Sequence, residues 1–115
     1  MNIKLVYCYE MNNKIYEKIV NTDNKILGFV VYELKEQEVF IVNISMYNNK
    51  RKGFGSFVVR TIHERFPDKN ITGEALTEAI GFWSKMGAVF DKKYIKIKEG
   101  LLEEKIERTP FCIKY

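Results

Sequence analysis

The sequence predicts an α+β fold built on one mixed sheet. In the first half, apolar and polar residues alternate over short segments separated by polar turns, which is typical of an antiparallel meander. In the second half, residues 38–75 follow the order strand, glycine-containing loop, amphipathic helix, strand, which predicts two parallel strands joined by a crossover helix. A second helix, ending at Gly87, and C-terminal strands complete the prediction.

Length and composition indicate a single globular domain that spans residues 1–115. The hydrophobic fraction of 46% and the aromatic fraction of 14% argue against disorder. A formal net charge of +4 suits a small polyanionic ligand and also permits nucleic-acid binding. Because the positive charges cluster chiefly at one loop, a nucleic-acid-binding domain ranks last among the candidate functions.

Four strands are predicted in the first half of the chain. Every second residue from Ile3 to Tyr9 is apolar or aromatic, which places these residues on one face of the first strand. After a turn at Asn12 and Asn13, residues 14–20 fit either a helix or a hairpin strand, and the strand is favoured. The remaining predicted strands of this half are 26–34 and 38–47.

Two helices and further strands are predicted in the second half. The apolar residues of segment 55–66 form one stripe of a helix. Residues 70–75 form a strand that returns parallel to 38–47. The second helix begins at Thr77 as its N-cap and ends at Gly87. Short strands follow at 88–90 and 110–115, whereas residues 91–109 fit either a strand with a loop or a short helix.

The cysteines and the histidine show little sign of a catalytic or metal-binding role. Cys8 and Cys112 lie in apolar, strand-like segments and are predicted to be buried, reduced thiols. With no Cys-x-x-Cys pair and one histidine, His63, predicted at the surface, the sequence predicts no metal site. No apolar run resembles a signal peptide or a membrane span, so we expect a soluble, cytoplasmic protein.

The loop before the first helix has the composition of an anion-binding site. Its residues are Lys50, Arg51, Lys52, Gly53, Phe54, Gly55 and Ser56. The first N–H groups of a helix lack intrahelical partners, and the helix dipole adds partial positive charge at the same end. Glycines allow a close approach of the backbone, and the basic side chains and the serine hydroxyl add donors. The loop alone fits either a phosphate site or an ordinary solvated turn.

A second segment, Ala79-Ile80-Gly81-Phe82-Trp83-Ser84-Lys85-Met86-Gly87, follows this loop in the chain. Together the two segments resemble the GNAT superfamily of N-acetyltransferases, over roughly residues 26–90. The family's Arg/Gln-x-x-Gly-x-Gly/Ala pattern corresponds to residues 50–55, and its Ala-Ile-x-Phe-Tyr-x-x-x-Gly helix to residues 79–87. The resemblance implies acetyl-CoA as co-substrate, with its pyrophosphate at the loop and no metal.

The resemblance also implies where the rest of the cofactor lies. In the family, the fourth strand carries a bulge and separates from the fifth, so that the pantetheine arm pairs with strand backbone and an N–H points at the thioester oxygen. The corresponding residues here are Ile44, Ser45 and Met46. Phe82 and Trp83 would flank the same arm.

The sequence departs from the family in three ways. Lys50 replaces the first Arg or Gln of the loop motif, and Arg51 can compensate for its charge. Trp83 stands where many relatives have a Tyr that protonates the departing thiolate, and an indole N–H is no acid at useful pH. Only residues 10–25 replace the helices that shape the acceptor pocket, so that side is abbreviated or built by a partner subunit, and a homodimer is a candidate.

The predicted function is transfer of an acetyl group from acetyl-CoA to an amine of a small molecule or peptide, by direct attack in a ternary complex. Glu38 and Glu74 are the candidate general bases, and Tyr47 and Tyr94 the candidate acids. The alternative is a noncatalytic acyl-CoA-binding or regulatory module that keeps the phosphate loop without the acid.

Overall fold

The computed structural model describes residues 3–47, 53–91 and 108–114. In chain order its elements are β1 (Ile3–Met11), β2 (Lys14–Asn21), β3 (Ile26–Leu34), β4 (Glu38–Met46), α1 (Phe54–Arg65), β5 (Asn70–Leu76), a 3₁₀ turn (Thr77–Ala79), α2 (Ile80–Lys85), β6 (Val89–Phe90) and β7 (Arg108–Ile113). The alternatives predicted for residues 92–107, the basic residues 50–52 and Tyr94 lie outside the described residues.

The seven strands form one sheet in the order β1-β2-β3-β4-β5-β7-β6. β4 and β5 run parallel, and α1 connects them. Every other neighbouring pair is antiparallel. The predicted mixed sheet, with its meander and its crossover helix, is therefore confirmed.

The ambiguous segment after Asn12 and Asn13 is a strand. Both asparagines have positive φ angles, 53° and 66°, which is the backbone of a type I′ turn and matches the twist of a two-residue hairpin. Asparagine adopts this region more readily than most residues. β2 then pairs with β1 on one side and β3 on the other, so ladders on both edges hold it extended.

Both helices pack on the same face of the sheet, here called the helix face, and we call the opposite side the open face. Arg65 of α1 reaches Glu17 on β2, and Trp83 of α2 stacks on Phe111 of β7. The core between them includes the fully buried Ile19, Val30, Val39, Val58, Val59, Ile62 and Ile71. Within the described ranges, neither helix packs on the open face.

A bulge in β1 overturns the prediction that Ile3 to Tyr9 share one face. Tyr7 pairs with Glu17 and Tyr9 pairs with Tyr16, so Cys8 has no partner on β2. This extra residue reverses the alternation of side chains. Tyr9 therefore lies on the open face, where its ring stacks on that of Tyr16 at 4.5 Å between centroids.

The two cysteines form no disulfide with each other, but their burial differs from the prediction. Cys8 is exposed at the bulge, and Cys112 is partly buried in β7. The bulge explains the error, because an unpaired residue on the outermost strand has no neighbouring strand to cover it. His63, predicted at the surface, is partly buried.

The second helix is shorter than predicted but ends as expected. The predicted first turn, from Thr77, is a 3₁₀ turn, and α2 proper starts at Ile80. Gly87 has a φ of 91°. Its N–H donates to the carbonyl of Ser84, and the next N–H, of Ala88, donates to Trp83, each at 3.0 Å. This is a Schellman motif, so Gly87 has the C-terminal role that the sequence predicted.

Candidate functional site

The parallel strands at the centre of the sheet separate after a short paired region. β4 and β5 form four residue pairs, the last of which joins Ile41 to Gly73. Beyond it, β4 continues beside β3, and β5 continues beside β7. Over residues 42–46 and 74–76, the facing edges therefore carry backbone N–H and C=O groups that no ladder between these two strands uses. We call this gap the cleft.

The cleft starts at a bulge in β4. Tyr32 pairs with Ile41 and Val31 pairs with Asn43, so Val42 has no partner on β3. Because a bulged strand bends and twists more strongly than a regular one, β4 changes direction at the point where its pairing with β5 ends. The bulge that the motif implied is present, just before the three residues expected beside the cofactor.

Gly28 on β3 helps to set the path of β4 along the cleft. A Cβ on Gly28 would lie 2.0 Å from the carbonyl oxygen of Ser45 and 3.0 Å from the Cα of Met46. The Ser45 carbonyl thus occupies the space of a side chain, and β4 lies close over β3 on the side away from β5. Gly28 is absent from the residues predicted for the site, although a lone glycine within a strand pattern signals such a close approach.

The N-terminus of α1 is free of capping by its own side chains. Gly53 is the N-cap, with a φ of 77° that favours glycine, and the described first turn contains no acidic residue and no side-chain cap. The N–H of Phe57 donates to the Gly53 carbonyl at 3.2 Å, so the N–H groups of residues 54–56 precede the helical ladder. The helix dipole at this end is therefore available to an external anion.

The first turn of α1 packs directly on the second motif. A Cβ on Gly55 would lie 3.1 Å from a ring carbon of Phe82, so a side chain there would crowd the contact between the helices. Phe82 meets Trp83 edge to face at 4.9 Å between centroids, and Trp83 stacks on Phe111 at 4.2 Å. Phe111 in turn pairs with Gly73, the last residue of β5 before the cleft. The two motifs therefore meet at the base of the cleft.

This arrangement gives the positions of Phe82 and Trp83, the two aromatic residues that we expected beside the pantetheine arm. Trp83 is 7% exposed and belongs to the core, which leaves little of its surface for a ligand. Phe82 is partly buried and lies nearer the start of α1. A cofactor contact by either ring stays a prediction. Phe111, which the sequence analysis missed, completes this wall.

Of the two candidate bases, Glu74 lies at the cleft. It follows Gly73 directly on β5 and is exposed on the open face. Glu38 is the first residue of β4, three residues before Ile41, or about 10 Å away at the rise of a strand. Its carboxylate lies 3.8 Å from the ammonium of Lys35. The geometry therefore favours Glu74.

Tyr47 lies directly after β4, at the far end of the cleft. Its side chain is 54% exposed, and its ring meets Phe29 edge to face at 6.2 Å between centroids. Its N–H donates to the carbonyl of Leu27 at 2.9 Å, which fixes the backbone of this position to β3. The hydroxyl is therefore on an exposed ring beside the cleft, and its role as an acid stays a prediction.

A buried charge network lies at the other end of α1. The Arg65 Nη1 donates to the Glu17 carboxylate at 2.5 Å, and the Tyr32 hydroxyl donates to the same oxygen. Burial raises the pKa of Tyr32 above its ordinary range, and the hydrogen bond to Glu17 raises it further. The hydrogen bond to Glu17 also raises the pKa of Arg65. Since α1 is about 18 Å long, this network stands apart from the cleft.

None of the three residues of this network was predicted from the sequence to be functional. Arg65 lies mostly outside the apolar stripe of its helix, so the helical period gives no sign of a buried partner. Glu17 nevertheless lies between Ile15 and Ile19 at the period of a strand, which places its carboxylate on the inward face, and it is 2% exposed. That position was a readable signal, because a buried carboxylate requires a hydrogen-bonding partner.

Comparison with solved structures decides the fold. A Bacillus subtilis acetyltransferase in complex with CoA has a TM-score of 0.67 and 15% identity, and the match covers 98% of this chain and 99% of that one. Tetrahymena GCN5 has a TM-score of 0.66 and 13% identity, covering 90% of this chain and 69% of that one. The fold is that of the GNAT acetyltransferases.

A GNAT-family protein from Bacteroides thetaiotaomicron gives a TM-score of 0.65 at 16% identity, covering 92% of this chain and 64% of that one. No protein-family model matches the sequence, and no curated protein matches it significantly.

The GNAT-like chain has no helix, among its described residues, that is long and apolar enough to cross a membrane. The same residues contain no cluster of His, Cys, Asp and Glu suited to a metal ion.

Proposed function

We propose that this protein is an acetyl-CoA-dependent N-acetyltransferase that transfers an acetyl group to an amine by direct attack in a ternary complex. The observation that carries the proposal is the cleft. A parallel pair that separates at a β4 bulge leaves backbone donors and acceptors for an extended ligand, and the free N-terminus of α1 follows β4. An extended arm that ends in a pyrophosphate fits both features.

The roles of the residues follow from this placement. The α1 N–H groups and Gly53, with Lys50, Arg51 and Lys52, would bind the pyrophosphate. Backbone groups of residues 44–46 would pair with the pantetheine arm, as an added strand does. An N–H at the β4 edge would polarise the thioester carbonyl.

The transfer itself requires two proton movements. The amine nitrogen attacks the carbonyl carbon, the C–N bond forms, the C–S bond breaks, and the thiolate sulfur takes a proton. Glu74, directly or through a water molecule, would accept the amine proton. Tyr47 would supply a proton to the sulfur, because the indole of Trp83 cannot. The acceptor is an amine of a small molecule or peptide.

A noncatalytic acyl-CoA-binding module is the second candidate function. It is favoured by Trp83, which replaces the usual acid and packs into the core. Such a module would need the cleft and the α1 N-terminus but no proton donor or base. The two proposals share CoA binding and differ only in turnover.

Binding and turnover together test the proposals. Acetyl-CoA should raise the thermal midpoint, and a panel of primary amines should release free CoA thiol. Replacing Arg51 and Lys52 by Ala should weaken CoA binding roughly 10- to 100-fold, because two charge-assisted contacts are lost. The control replaces Lys4 and Lys25, two exposed lysines outside the loop, by Ala.

The outcomes separate the two functions. Thiol release that depends on the amine supports the enzyme, whereas tight CoA binding without release across the panel supports the module. Unchanged CoA affinity in the Arg51→Ala, Lys52→Ala variant would show that the loop does not hold the pyrophosphate.

A further inference from the structure

The cleft has one side on each face of the sheet, and the cofactor and the acceptor would use different sides. α1 packs on the helix face, and its N-terminus follows β4. A cofactor whose pyrophosphate binds at that N-terminus therefore approaches the cleft from the helix face. The open face of the cleft is left for the acceptor, so the side chains on this face select it.

Glu74 and Leu76 border the open face of the cleft on β5. A Cβ on Gly73 would lie 2.9 Å from the ring of Phe111, which packs on the helix face. Because side chains alternate between the faces along a strand, Glu74 and Leu76 lie on the open face, one and three residues beyond Gly73.

Asn43 and Ser45 border the opposite edge, on β4. They flank Ile44, which packs against the core, so both lie on the open face. Counted from the last pair of β4 and β5, they are two and four residues along β4, and one of these residues is the bulge. Asn43 therefore faces Glu74 across the cleft, and Ser45 faces Leu76.

Asn43 and Glu74 form what we call the inner level of the open face, and this level is polar. Both side chains are exposed. A carboxylate and an amide oxygen each accept a hydrogen bond from an amino group. Within residues 42–46 and 74–76, Glu74 is the only carboxylate. The inner level therefore fits one amino group.

Ser45 and Leu76 form the outer level, which is mainly apolar. It lies two residues, or roughly 7 Å, farther along the strands. Leu76 is 40% exposed. Ser45 is small and pairs with Phe29 on β3, whose partly buried ring meets the exposed ring of Tyr47 edge to face. A leucine on one edge and two aromatic rings on the other provide apolar contacts for a ligand.

The charges beside the outer level are positive. Lys18 pairs with Phe29, and Arg108 pairs with Leu76, so both cations lie on the open face. A second ammonium group on the acceptor would meet these like charges at the outer level, which disfavours its binding. The open face therefore favours an acceptor with one amino group over a polyamine.

We propose that the acceptor is a primary amine with a single positive charge and an aromatic or other bulky apolar group. Its amino group binds between Asn43 and Glu74. Its apolar group binds between Leu76 and the rings of Phe29 and Tyr47, and a short aliphatic linker spans the two levels. This inference rests on the proposed function, because it takes the cofactor to occupy the helix face of the cleft.

Acetyl transfer to 2-phenylethylamine, n-propylamine and spermidine tests the proposal. The assay measures the CoA thiol released by the full chain, and kcat/KM is compared at equal concentrations of unprotonated amine. The value for 2-phenylethylamine should exceed each of the other two at least about 10-fold, because this amine fills the outer level without placing a charge there.

Leu76→Asp tests the outer level directly. It replaces an apolar contact by a carboxylate and should lower the ratio of kcat/KM for 2-phenylethylamine to that for spermidine at least about 10-fold. Leu76→Ala, a milder change, should lower the ratio for 2-phenylethylamine to n-propylamine. Leu34→Asp is the matched control, because Leu34 is 38% exposed and pairs with Val39, before the cleft begins. It should leave both ratios unchanged.

Titration of the same amines into the CoA complex, followed by NMR, separates this inference from the proposed function. Preferential binding of 2-phenylethylamine without thiol release from any amine would overturn the proposed transfer and support the amine site. A preference for spermidine, or equal effects of Leu76→Asp and Leu34→Asp, would overturn the inferred acceptor class and leave the transfer intact. If no amine is bound or acetylated, the inferred site is wrong.

Discussion

Gly28 and Gly55 shape the cleft through the side chains that they lack. The space of a Cβ on Gly28 is filled by the Ser45 carbonyl, and that of Gly55 is bordered by the Phe82 ring. One glycine sets the distance between β3 and β4, and the other sets that between α1 and α2. In both cases a close backbone approach fixes a wall of the candidate site.

Replacing Gly28 by Ala should destabilise the fold by about 1–3 kcal/mol or more, because the new methyl group meets backbone atoms that no rotamer change can move. Urea unfolding followed by circular dichroism measures the loss. Gly81→Ala is the matched control, since nothing lies within 4 Å of its Cβ position. Within α2, this change should instead stabilise by about 0.5–1 kcal/mol. Equal stabilities of the two variants would contradict the close approach.

Glu74→Gln should reduce the rate of acetyl transfer by about 10²- to 10⁴-fold, because the amide cannot accept the amine proton. Glu38→Gln, about 10 Å along the sheet, should change the rate by less than a few fold. Steady-state release of CoA thiol measures both, and CoA affinity should stay constant in each. The opposite ranking would assign the base to Glu38.

At the scale of elements, the Glu17–Tyr32–Arg65 network attaches the end of α1 to β2 and β3. Arg65 also donates to the carbonyl of Leu5 on β1, at 3.4 Å. The guanidinium thus contacts β1 and β2 directly, and β3 joins the network through the hydrogen bond of Tyr32 to Glu17. The network fixes the C-terminal end of α1, and the Gly55–Phe82 contact fixes its start.

Because of this network, we expect the fold to lose stability at alkaline pH. The pKa of Tyr32 is raised in the folded state, so its contribution is fully present below the ordinary tyrosine value of about 10 and is lost as the pH rises through the folded-state value. The unfolding free energy should therefore fall above about pH 10, and Tyr32→Phe should reduce that slope. Denaturant unfolding across this range measures it. Tyr7→Phe, which removes an exposed hydroxyl outside the network, is the matched control.

The helices and strands could be predicted from the sequence because each has its own spacing of apolar residues and its own turn residues at its ends. The Asn12-Asn13 turn and Gly87 mark boundaries that the backbone angles confirm. The bulges at Cys8 and Val42 were not predictable from periodicity, because an unpaired residue is defined by the register with a neighbouring strand. The resemblance implied a bulge in the fourth strand but did not place it at Val42.

The candidate site was predictable in outline because part of it consists of local sequence motifs. The loop and the second helix are local motifs, and Gly53 and Phe82 could be named from them. The separation of β4 from β5, the stack of Trp83 on Phe111 and the choice of Glu74 over Glu38 depend on contacts between distant segments. Such contacts leave no local signal in one sequence.

At the scale of the whole molecule, the cleft divides the sheet into two halves. β1–β4 lie on one side and β5–β7 on the other, joined by four residue pairs and by α1. A ligand that pairs with both free edges would extend the connection along the full length of the strands. Binding should therefore stiffen the centre of the sheet more than its margins.

Hydrogen exchange with and without CoA tests this expectation. Those amides of residues 42–46 and 74–76 that face the cleft should exchange more slowly in the complex, because they gain hydrogen bonds or lose contact with water. Amides of β2, already paired on both edges, should not change and serve as the internal control. Uniform protection across the sheet would indicate global stabilisation without a ligand in the cleft.

The short parallel region between β4 and β5 also affects the order of folding. The hairpins of β1–β4 join residues that are close in the chain, so their closure is fast and costs little entropy. The pair Ile41–Gly73 joins residues that lie much farther apart in the chain, on either side of α1, and β7 joins β5 from still farther away. We expect the meander to fold as an early unit and the cleft to acquire its shape last.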